Sequence, residues 1–164
     1  ASLPPLLEFA DGTPVRSAHD WAARRSEVEA LLAEHYYGTV PAEVPSIIAA
    51  NVTIVRADIS TRRGYTEELV DVTFGVPTGA ATFRINVLIP AHCNRAAKCP
   101  VFMTQTNHRR WGLVGLSRGY VVLVYPGADS NDQTDPFRLA YPEATWGMIR
   151  RRAWLGSRAL DYVA

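Results

Sequence analysis

The residues Gly115-Leu116-Ser117-Arg118-Gly119 form a Gly-x-Ser-x-Gly pattern, which in some hydrolytic enzymes holds a nucleophilic serine. That chemistry needs the serine on a sharp turn after a strand and before a helix, so that its hydroxyl is exposed above a sheet. Here the order is reversed. The apolar run before the motif, Trp111 to Val114, is too short for a strand after the polar residues Asn107 to Arg110, and a continuously apolar run begins afterwards at Tyr120. The pattern predicts Ser117 in the last turn of a helix that Gly119 ends, and hydrolysis by Ser117 remains an alternative.

A second candidate is the polar stretch from Thr104 to Trp111, which follows a short apolar run and opens a helix-length segment. In an open α/β sheet such a loop lies at the carboxyl ends of the strands, where ligands bind. We therefore expect Asn107, His108 and Arg109 to face a substrate. The alternative is that Asn107 only caps the helix and that His108 makes local contacts.

A third candidate is the aspartate loop between Pro126 and Asp135, which holds Asp129 and Asp132 and follows the next apolar run. We interpret it as a structured loop beside the same cleft. Its spacing does not match a calcium loop, since a bidentate glutamate is missing. Aspartate is also common in turns for local reasons. The sequence predicts no metal and no cofactor.

The two cysteines, Cys93 and Cys99, flank a short polar loop. A disulfide between them fits an exported protein, whereas two free thiols fit a cytosolic one. We prefer the disulfide. A metal site is not expected, because only His92 lies nearby and four ligands are needed.

Periodicity predicts the elements that position these residues. Ser17 and Asp20 resemble a capping box that opens a helix over residues 18–37, and Gly38 is a plausible end. Three alternating runs joined by short turns indicate antiparallel strands, and the later apolar runs separated by helices indicate a parallel sheet. The predicted strands are residues 52–59, 69–76, 82–89, 101–103 and 120–125, and the predicted later helices are 110–118 and 145–163.

Composition limits the classes of partner. The chain has 164 residues, of which 48% are hydrophobic, and a formal charge of +1. This charge gives no global field to attract nucleic acid or an anionic membrane, and neither partner is expected. No run of eighteen apolar residues occurs, so the sequence predicts no membrane-spanning helix. Without an initiator Met, the chain fits a mature, processed or trimmed protein.

Several segments together resemble a known family. They are Phe9 to Val15, Tyr37 to Pro41, Thr104 to Arg109, Tyr125 to Asp129 and Arg152 to Trp154. These stretches are similar to bacterial α/β-hydrolases akin to glucuronoyl esterases and acetyl xylan esterases. The resemblance implies an α/β fold, the N-terminal part of an α/β-hydrolase mixed sheet with antiparallel first strands and then parallel strands with crossover helices. Residues 1–50 would be a helix and linker packed on the sheet, and residues 51–164 the first half of the domain.

The resemblance also implies a mechanism, acyl transfer by a serine on an ester carbonyl. Thr106, Asn107, His108 and Arg109 would form the oxyanion-side loop. Enzymes of this kind carry the serine in a Gly-x-Ser-Arg-x-Gly turn after the strand that follows the Arg-Ala-Trp helix, so we expect the catalytic triad on a following segment or a second chain. The expected substrate is an ester, possibly on plant cell-wall carbohydrate, and the expected location is secreted or periplasmic.

Two further expectations follow from this interpretation. The last strand, residues 120–125, would be an apolar sheet edge that the remainder of the hydrolase domain covers, and the chain alone would be poorly soluble or inactive. The alternative is a non-catalytic binding or interaction protein on the same scaffold. In it the loop from Arg109 to Trp111 and the aspartate loop would bind a ligand without a reaction.

Overall fold

The structure is a computed structural model that describes residues 4–39, 43–58, 64–94, 98–128 and 131–164. Its centre is a five-stranded mixed sheet. The strands are β1 (Ile47–Asp58), β2 (Tyr65–Val76), β3 (Gly79–Pro90), β4 (Val101–Gln105) and β5 (Val121–Tyr125). A small hairpin, β6 (Gly127–Ala128) with β7 (Asn131–Asp132), follows β5. The helices are α1 (Ala18–Leu32), α2 (Arg109–Ser117), α3 (Asp135–Ala140) and α4 (Met148–Val163).

The sheet order is β1-β2-β3-β5-β4. Strands β1, β2 and β3 are antiparallel neighbours, β3 pairs antiparallel with β5, and β5 pairs parallel with β4. This arrangement confirms the predicted mixed sheet. The expectation that residues 120–125 form the sheet edge is wrong, because β5 lies between β3 and β4. Among the described residues, β4 is the edge strand on this side, and its Val101 and Met103 are 36% and 42% exposed.

Helices α3 and α4 cover one face of the sheet, and α2 covers the other. On one face Leu123 of β5 packs with Phe137 of α3 and Trp154 of α4, in a core that includes stacked Phe74 and Phe83. On the other face Val122 and Val124 of β5 pack with residues that include Leu116 of α2. The alternation of side chains along β5 therefore sends successive residues to opposite helical layers.

Helix α2 approaches its face closely because two glycines point at the sheet. A Cβ atom at Gly112 would lie 2.6 Å from Cγ1 of Val122, and one at Gly115 would lie 2.9 Å from Cγ of Phe102. Both distances are shorter than van der Waals contact. Any side chain there would lift the helix off β4 and β5.

Helix α1 begins where the sequence predicts, with the Ser17 hydroxyl accepting a hydrogen bond from the backbone N–H of Asp20. A π-helical turn, Ala33–Tyr37, continues it, and Gly38 ends the segment with a φ of 81°. Arg24 is the only buried residue of α1. Apolar side chains on the segment, Trp21, Leu31, Leu32 and Tyr36, remain between 37% and 60% exposed.

Differences from the predicted elements lie mostly at the boundaries. The first strand begins at Ile47, so the expected boundary at residue 50 falls inside β1. The polar stretch before residue 135 contains the β6–β7 hairpin, and α3 follows it with a proline in its first turn. No helix in the described ranges is long and apolar enough to cross a membrane.

Candidate active site

The carboxyl ends of β4 and β5 lie side by side, because the two strands are parallel and paired from Val101–Val121 to Gln105–Tyr125. A 3-10 turn, Thr106–His108, follows β4, and the β6–β7 hairpin follows β5. This edge is where ligands bind in open α/β sheets. The structure thus brings the predicted loop at residues 106–109 to the predicted place in the fold.

Two side-chain hydrogen bonds tie this loop to the end of β5. The amide of Gln105 donates to the carbonyl oxygen of Gly127 over 2.7 Å, and the hydroxyl of Thr106 donates to the carbonyl oxygen of Tyr125 over 3.1 Å. Both acceptors are backbone groups, so the tie does not depend on another side chain's rotamer. The loop after β4 is held at a set distance from the loop after β5.

Asn107 and His108 are exposed at this edge. His108 precedes α2 without a side-chain capping bond, so Asn107 is not the cap residue. The first N–H groups of a helix lack intrahelical acceptors, and the helix dipole is positive there. Here the 3-10 turn runs directly into α2, and the N–H of Arg109 already donates to the carbonyl oxygen of Thr106. The amino end of this joined segment, at residues 106–108, therefore favours an anionic oxygen, which is the electrostatic requirement of an oxyanion site.

Arg109 is engaged with the sheet. Its Nη2 atom donates to Oε1 of Glu67 on β2 over 2.8 Å, and the same oxygen accepts from Nδ2 of Asn86 on β3 over 3.0 Å. The Glu67 side chain is 13% exposed and that of Arg109 is 35% exposed. The guanidinium is thus part of a partly buried network that joins α2 to two strands.

A second ion pair lies on the same face of β2 as Glu67, four residues further along the strand. Asp71 accepts two hydrogen bonds of 2.7 Å from Arg84 of the paired strand. Hydrogen bonding from Arg84, and then its charge, lowers the pKa of the Asp71 carboxyl below its ordinary value. Both pairs lie on the polar part of the face that α2 covers.

The predicted aspartate loop is described only in part. Asp129 lies outside the described residues, and Asp132 lies in β7 with its backbone opposite Gly127. The backbone of Asp132 is therefore beside the loop that Gln105 contacts. Within the described ranges, the cluster of metal-ligating types that comes together is His92, Cys93 and Cys99, on a different part of the molecule.

Cys93 and Cys99 are joined by a disulfide, with Cα atoms 5.8 Å apart. Of the two alternatives left open by the sequence, the structure has the bonded one. The disulfide links the segment after β3 to the segment before β4. It therefore lies at the amino end of β4, opposite the loop at residues 106–109.

Ser117 is the last residue of α2, as the sequence predicts, and Gly119 follows with a φ of 85°. The Ser117 hydroxyl donates to the carbonyl oxygen of Val114 over 2.8 Å. Helix α2 begins after the carboxyl end of β4 and ends before the amino end of β5. Ser117 consequently lies at the amino ends of β4 and β5, whereas Thr106 lies at their carboxyl ends. It borders a cavity of about 450 Å³ that His92 also lines.

Sequence reasoning did not find Glu67 and Asn86. Both lie on strands whose alternation predicts a polar face, and a polar residue on such a face gives no sign of a long-range partner. Glu67 and Arg109 are separated by 42 residues. The tertiary fold alone brings them together.

Comparisons with known proteins indicate a relationship. No family model matches the chain. It is 30% identical over 168 residues to a 4-O-methyl-glucuronoyl methylesterase of Phanerochaete carnosa, covering 97% of this chain and 38% of that protein. A second 4-O-methyl-glucuronoyl methylesterase, from Cerrena unicolor, is 40% identical over 50 residues, covering 30% of this chain and 10% of that protein.

Solved structures give the same fold. A glucuronoyl esterase from Solibacter usitatus has a TM-score of 0.67 and 22% identity, covering 99% of this chain and 53% of that one. A CE15 glucuronoyl esterase from Teredinibacter turnerae has a TM-score of 0.69 and 20% identity, covering 98% and 46%. The chain thus spans about half of these structures and less of the curated relatives. It resembles the glucuronoyl esterases in sequence and has the mixed α/β-hydrolase sheet of these carbohydrate esterases.

Proposed function

We propose that this chain is part of a serine-dependent carboxylic ester hydrolase of the carbohydrate esterase type. In this proposal it supplies the sheet scaffold and the oxyanion-side loop at residues 106–109. The observation that carries the proposal is the position of that loop, at the carboxyl end of β4 and the amino end of α2, in a chain similar to glucuronoyl esterases.

The chemistry proposed is acyl transfer. A serine hydroxyl attacks the ester carbonyl carbon, a histidine takes the hydroxyl proton, and the C–O bond to the alcohol breaks as the alcohol leaves with a proton. Water then cleaves the acyl-enzyme to the free acid. The negative charge that forms on the carbonyl oxygen is stabilised by N–H donors held at residues 106–108, the amino end of the joined 3-10 turn and α2. Thr106 and Gln105 contribute by keeping this loop fixed against β5.

The serine, its histidine and the acid are proposed to lie on a following segment or on a second chain. The sheet topology supports this arrangement. Helices α2 and α4 pack on opposite faces, so right-handed crossovers through them run in opposite directions across the sheet. A strand that follows α4 would therefore pass β4 and pair with its outer edge.

That placement explains two features of β4. Its outer edge has no partner among the described residues, and Val101 and Met103 are partly exposed beside it. A parallel strand there would end next to residues 106–109. A serine on the turn after that strand would then face the proposed oxyanion donors.

The test is an ester hydrolysis assay on two samples. One is the native polypeptide that contains this chain, purified with any polypeptide that accompanies it, and the other is the 164-residue chain alone. The substrates are the methyl ester of glucuronic acid and an acetylated xylan. We expect the native sample to cleave an ester and the 164-residue chain to be inactive. Hydrolysis by the isolated chain, or inactivity of the native sample on both esters, would contradict the proposal.

We further propose that the protein is secreted or periplasmic. The Cys93–Cys99 disulfide supports this location, because such bonds persist in oxidising compartments. A polymeric cell-wall substrate would also be met outside the cell. Alkylation of the native protein without reductant tests the proposal, which predicts that neither cysteine reacts.

A further inference from the structure

Three residues of metal-binding type meet at the amino ends of β4 and β5, away from the candidate active site. They are His92, Cys93 and Cys99, and a ligand atom from each lies within 4.8 Å of the other two. Around one zinc ion such atoms lie about 3.5–3.8 Å apart, since Zn–S bonds are about 2.3 Å long and Zn–N bonds about 2.0–2.1 Å. Shifts of about 1 Å would therefore bring the three side chains to one metal ion.

The end of helix α2 contacts two of these residues. Sγ of Cys93 lies 3.8 Å from the carbonyl oxygen of Gly119. A Cβ atom on Gly119 would lie 3.2 Å from Nε2 of His92, so the absence of a side chain leaves room for the imidazole ring. Gly119 is itself fixed, because its N–H donates to the carbonyl oxygen of Leu116 over 2.9 Å. Ligands that pack on a fixed element lose less conformational freedom when they bind a metal.

The oxidation state of the two cysteines decides whether they can bind a metal. In the structure they form a disulfide, whereas the metal ligand is the thiolate. A dithiol reductant supplies two electrons and two protons, so that the S–S bond breaks, each cysteine becomes a thiol and the dithiol closes to its own disulfide. A zinc ion that binds the two sulfur atoms then displaces both thiol protons.

The ligand types favour zinc. Two thiolates and one imidazole suit Zn²⁺, whereas Mg²⁺ and Ca²⁺ prefer oxygen ligands. The sequence predicts no metal here because four ligands are needed, but water supplies the fourth ligand in zinc sites that have three protein ligands. His92 also lines the cavity of about 450 Å³ that Ser117 borders. That cavity gives a water ligand access to the fourth position.

We propose that the chain holds a redox-dependent zinc site made by His92, Cys93 and Cys99. Reduction of the disulfide creates the site and oxidation removes it, because the same two sulfur atoms serve either the bond or the metal. The inference goes beyond the proposed ester hydrolysis, since the site lies at the opposite ends of β4 and β5 and uses no group of that reaction. In an oxidising compartment the protein keeps the disulfide, and zinc is bound only while the cysteines are reduced.

The test is zinc uptake by the native polypeptide that contains this chain, in its oxidised form and after treatment with dithiothreitol. The dithiol is removed by gel filtration without oxygen, zinc chloride is added, and bound zinc is measured by atomic emission after dialysis. We expect the reduced form to bind about one zinc ion more per polypeptide than the oxidised form. Cobalt in place of zinc should give a thiolate-to-metal charge-transfer band in the reduced form alone.

Variants separate this site from other cysteines and histidines. Cys99→Ser should remove the additional zinc. His92→Ala should weaken its binding at least about tenfold, since loss of even an outer-shell partner commonly weakens metal binding 10–100-fold. His35→Ala, which removes an exposed histidine from the turn after α1, is the matched control and should bind zinc as the wild type does. Oxidised His92→Ala should melt at the wild-type temperature, because His92 is exposed, and this excludes a folding artefact.

Equal zinc uptake by the oxidised and reduced wild type would overturn the inference. Additional zinc that persists in Cys99→Ser, binding by His92→Ala as tight as that of the wild type, or a cobalt spectrum without the charge-transfer band would also overturn it. Ester hydrolysis enters none of these measurements. Failure of the zinc site therefore leaves the proposed function untouched, and failure of the ester hydrolysis assay leaves the zinc site untouched.

Discussion

Replacement of Glu67 tests whether the network around Arg109 holds the loop after β4 in place. The carboxylate accepts one hydrogen bond from the Arg109 guanidinium and one from the neutral amide of Asn86. Hydrogen bonds to an ionised group each contribute roughly 1.5–3 kcal/mol to the free energy of unfolding. The bond from Arg109 contributes less than this range, because the 35% exposed guanidinium regains water when its partner is removed.

Glu67→Ala should therefore lower the free energy of unfolding by about 2 kcal/mol. For a chain of this length that corresponds to a decrease in melting temperature of about 4–8 °C. Glu67→Gln keeps an acceptor but loses the charge, so its effect should be about half as large. Hydrogen exchange at the amides of residues 106–109 should become faster in the alanine variant.

A double-mutant cycle that combines Glu67→Ala with Arg109→Ala measures the coupling free energy between these two side chains. Urea unfolding of the wild type, the two single variants and the double variant should give a coupling free energy of about 1 kcal/mol. A coupling free energy below about 0.3 kcal/mol, with unchanged exchange at residues 106–109, would refute the idea that this pair positions the loop.

Three further predictions concern stability. Cys93→Ser opens a loop closed over a sequence separation of six residues and should lower the free energy of unfolding by about 2 kcal/mol relative to the oxidised wild type. The reduced wild type is the control and should match the variant. Gly112→Ala forces a Cβ to within 2.6 Å of a Val122 methyl carbon and should lower the free energy of unfolding in urea by about 1–3 kcal/mol. Leu113→Ala, on the exposed side of α2, is the control and should lower it by less. Equal effects would argue against close packing of α2. The pairing that lowers the pKa of Asp71 stabilises the fold above the ordinary carboxyl pKa of 3.8, and this stabilisation is lost as pH falls through the lower folded value. The melting-temperature deficit of Asp71→Asn should therefore be present at pH 6 and shrink as pH is lowered below 3.8. A deficit independent of pH would contradict the assignment.

Much of the fold could be predicted because local patterns determine it. Alternation along residues 65–90 indicates two strands with one buried face, and the structure pairs them in one continuous register from Tyr65–Pro90 to Val76–Gly79. The change to continuous apolar runs after Pro100 indicates strands with helices on both faces. Gly38 and Gly119 adopt the positive φ angles expected where a helix ends.

The order of strands in space could not be predicted from these patterns. Strands β4 and β5 are both short and apolar, and nothing in their composition shows which is central. Chain order suggested that the last strand is at the edge, but β5 pairs with β3 and leaves β4 outside. That exchange puts the loop at residues 106–109 beside the sheet edge that has no partner strand among the described residues.

The place of the loop at residues 106–109 in the sheet was predictable, but its contacts were not. The sequence order of strand, loop and helix puts Thr106 and His108 after the carboxyl end of β4, where the structure has them, and their role in a site stays a prediction. Glu67, which accepts from Arg109, lies on β2, and Asn86, which donates to the same carboxylate oxygen, lies on β3. Both precede Arg109 by more than twenty residues, and no periodicity links them to it. Helix α3 was missed because its Asp135-Pro136 start follows a polar stretch and has the composition of a turn.

The most direct test of the proposed function is intact mass spectrometry of the native material before and after treatment with a fluorophosphonate probe. The proposal predicts that a serine outside these 164 residues takes the label, either on the same polypeptide or on one that copurifies with it. Label on Ser117 would move the chemistry to the opposite edge of the sheet. The absence of label on any polypeptide in an intact native sample would contradict a serine esterase.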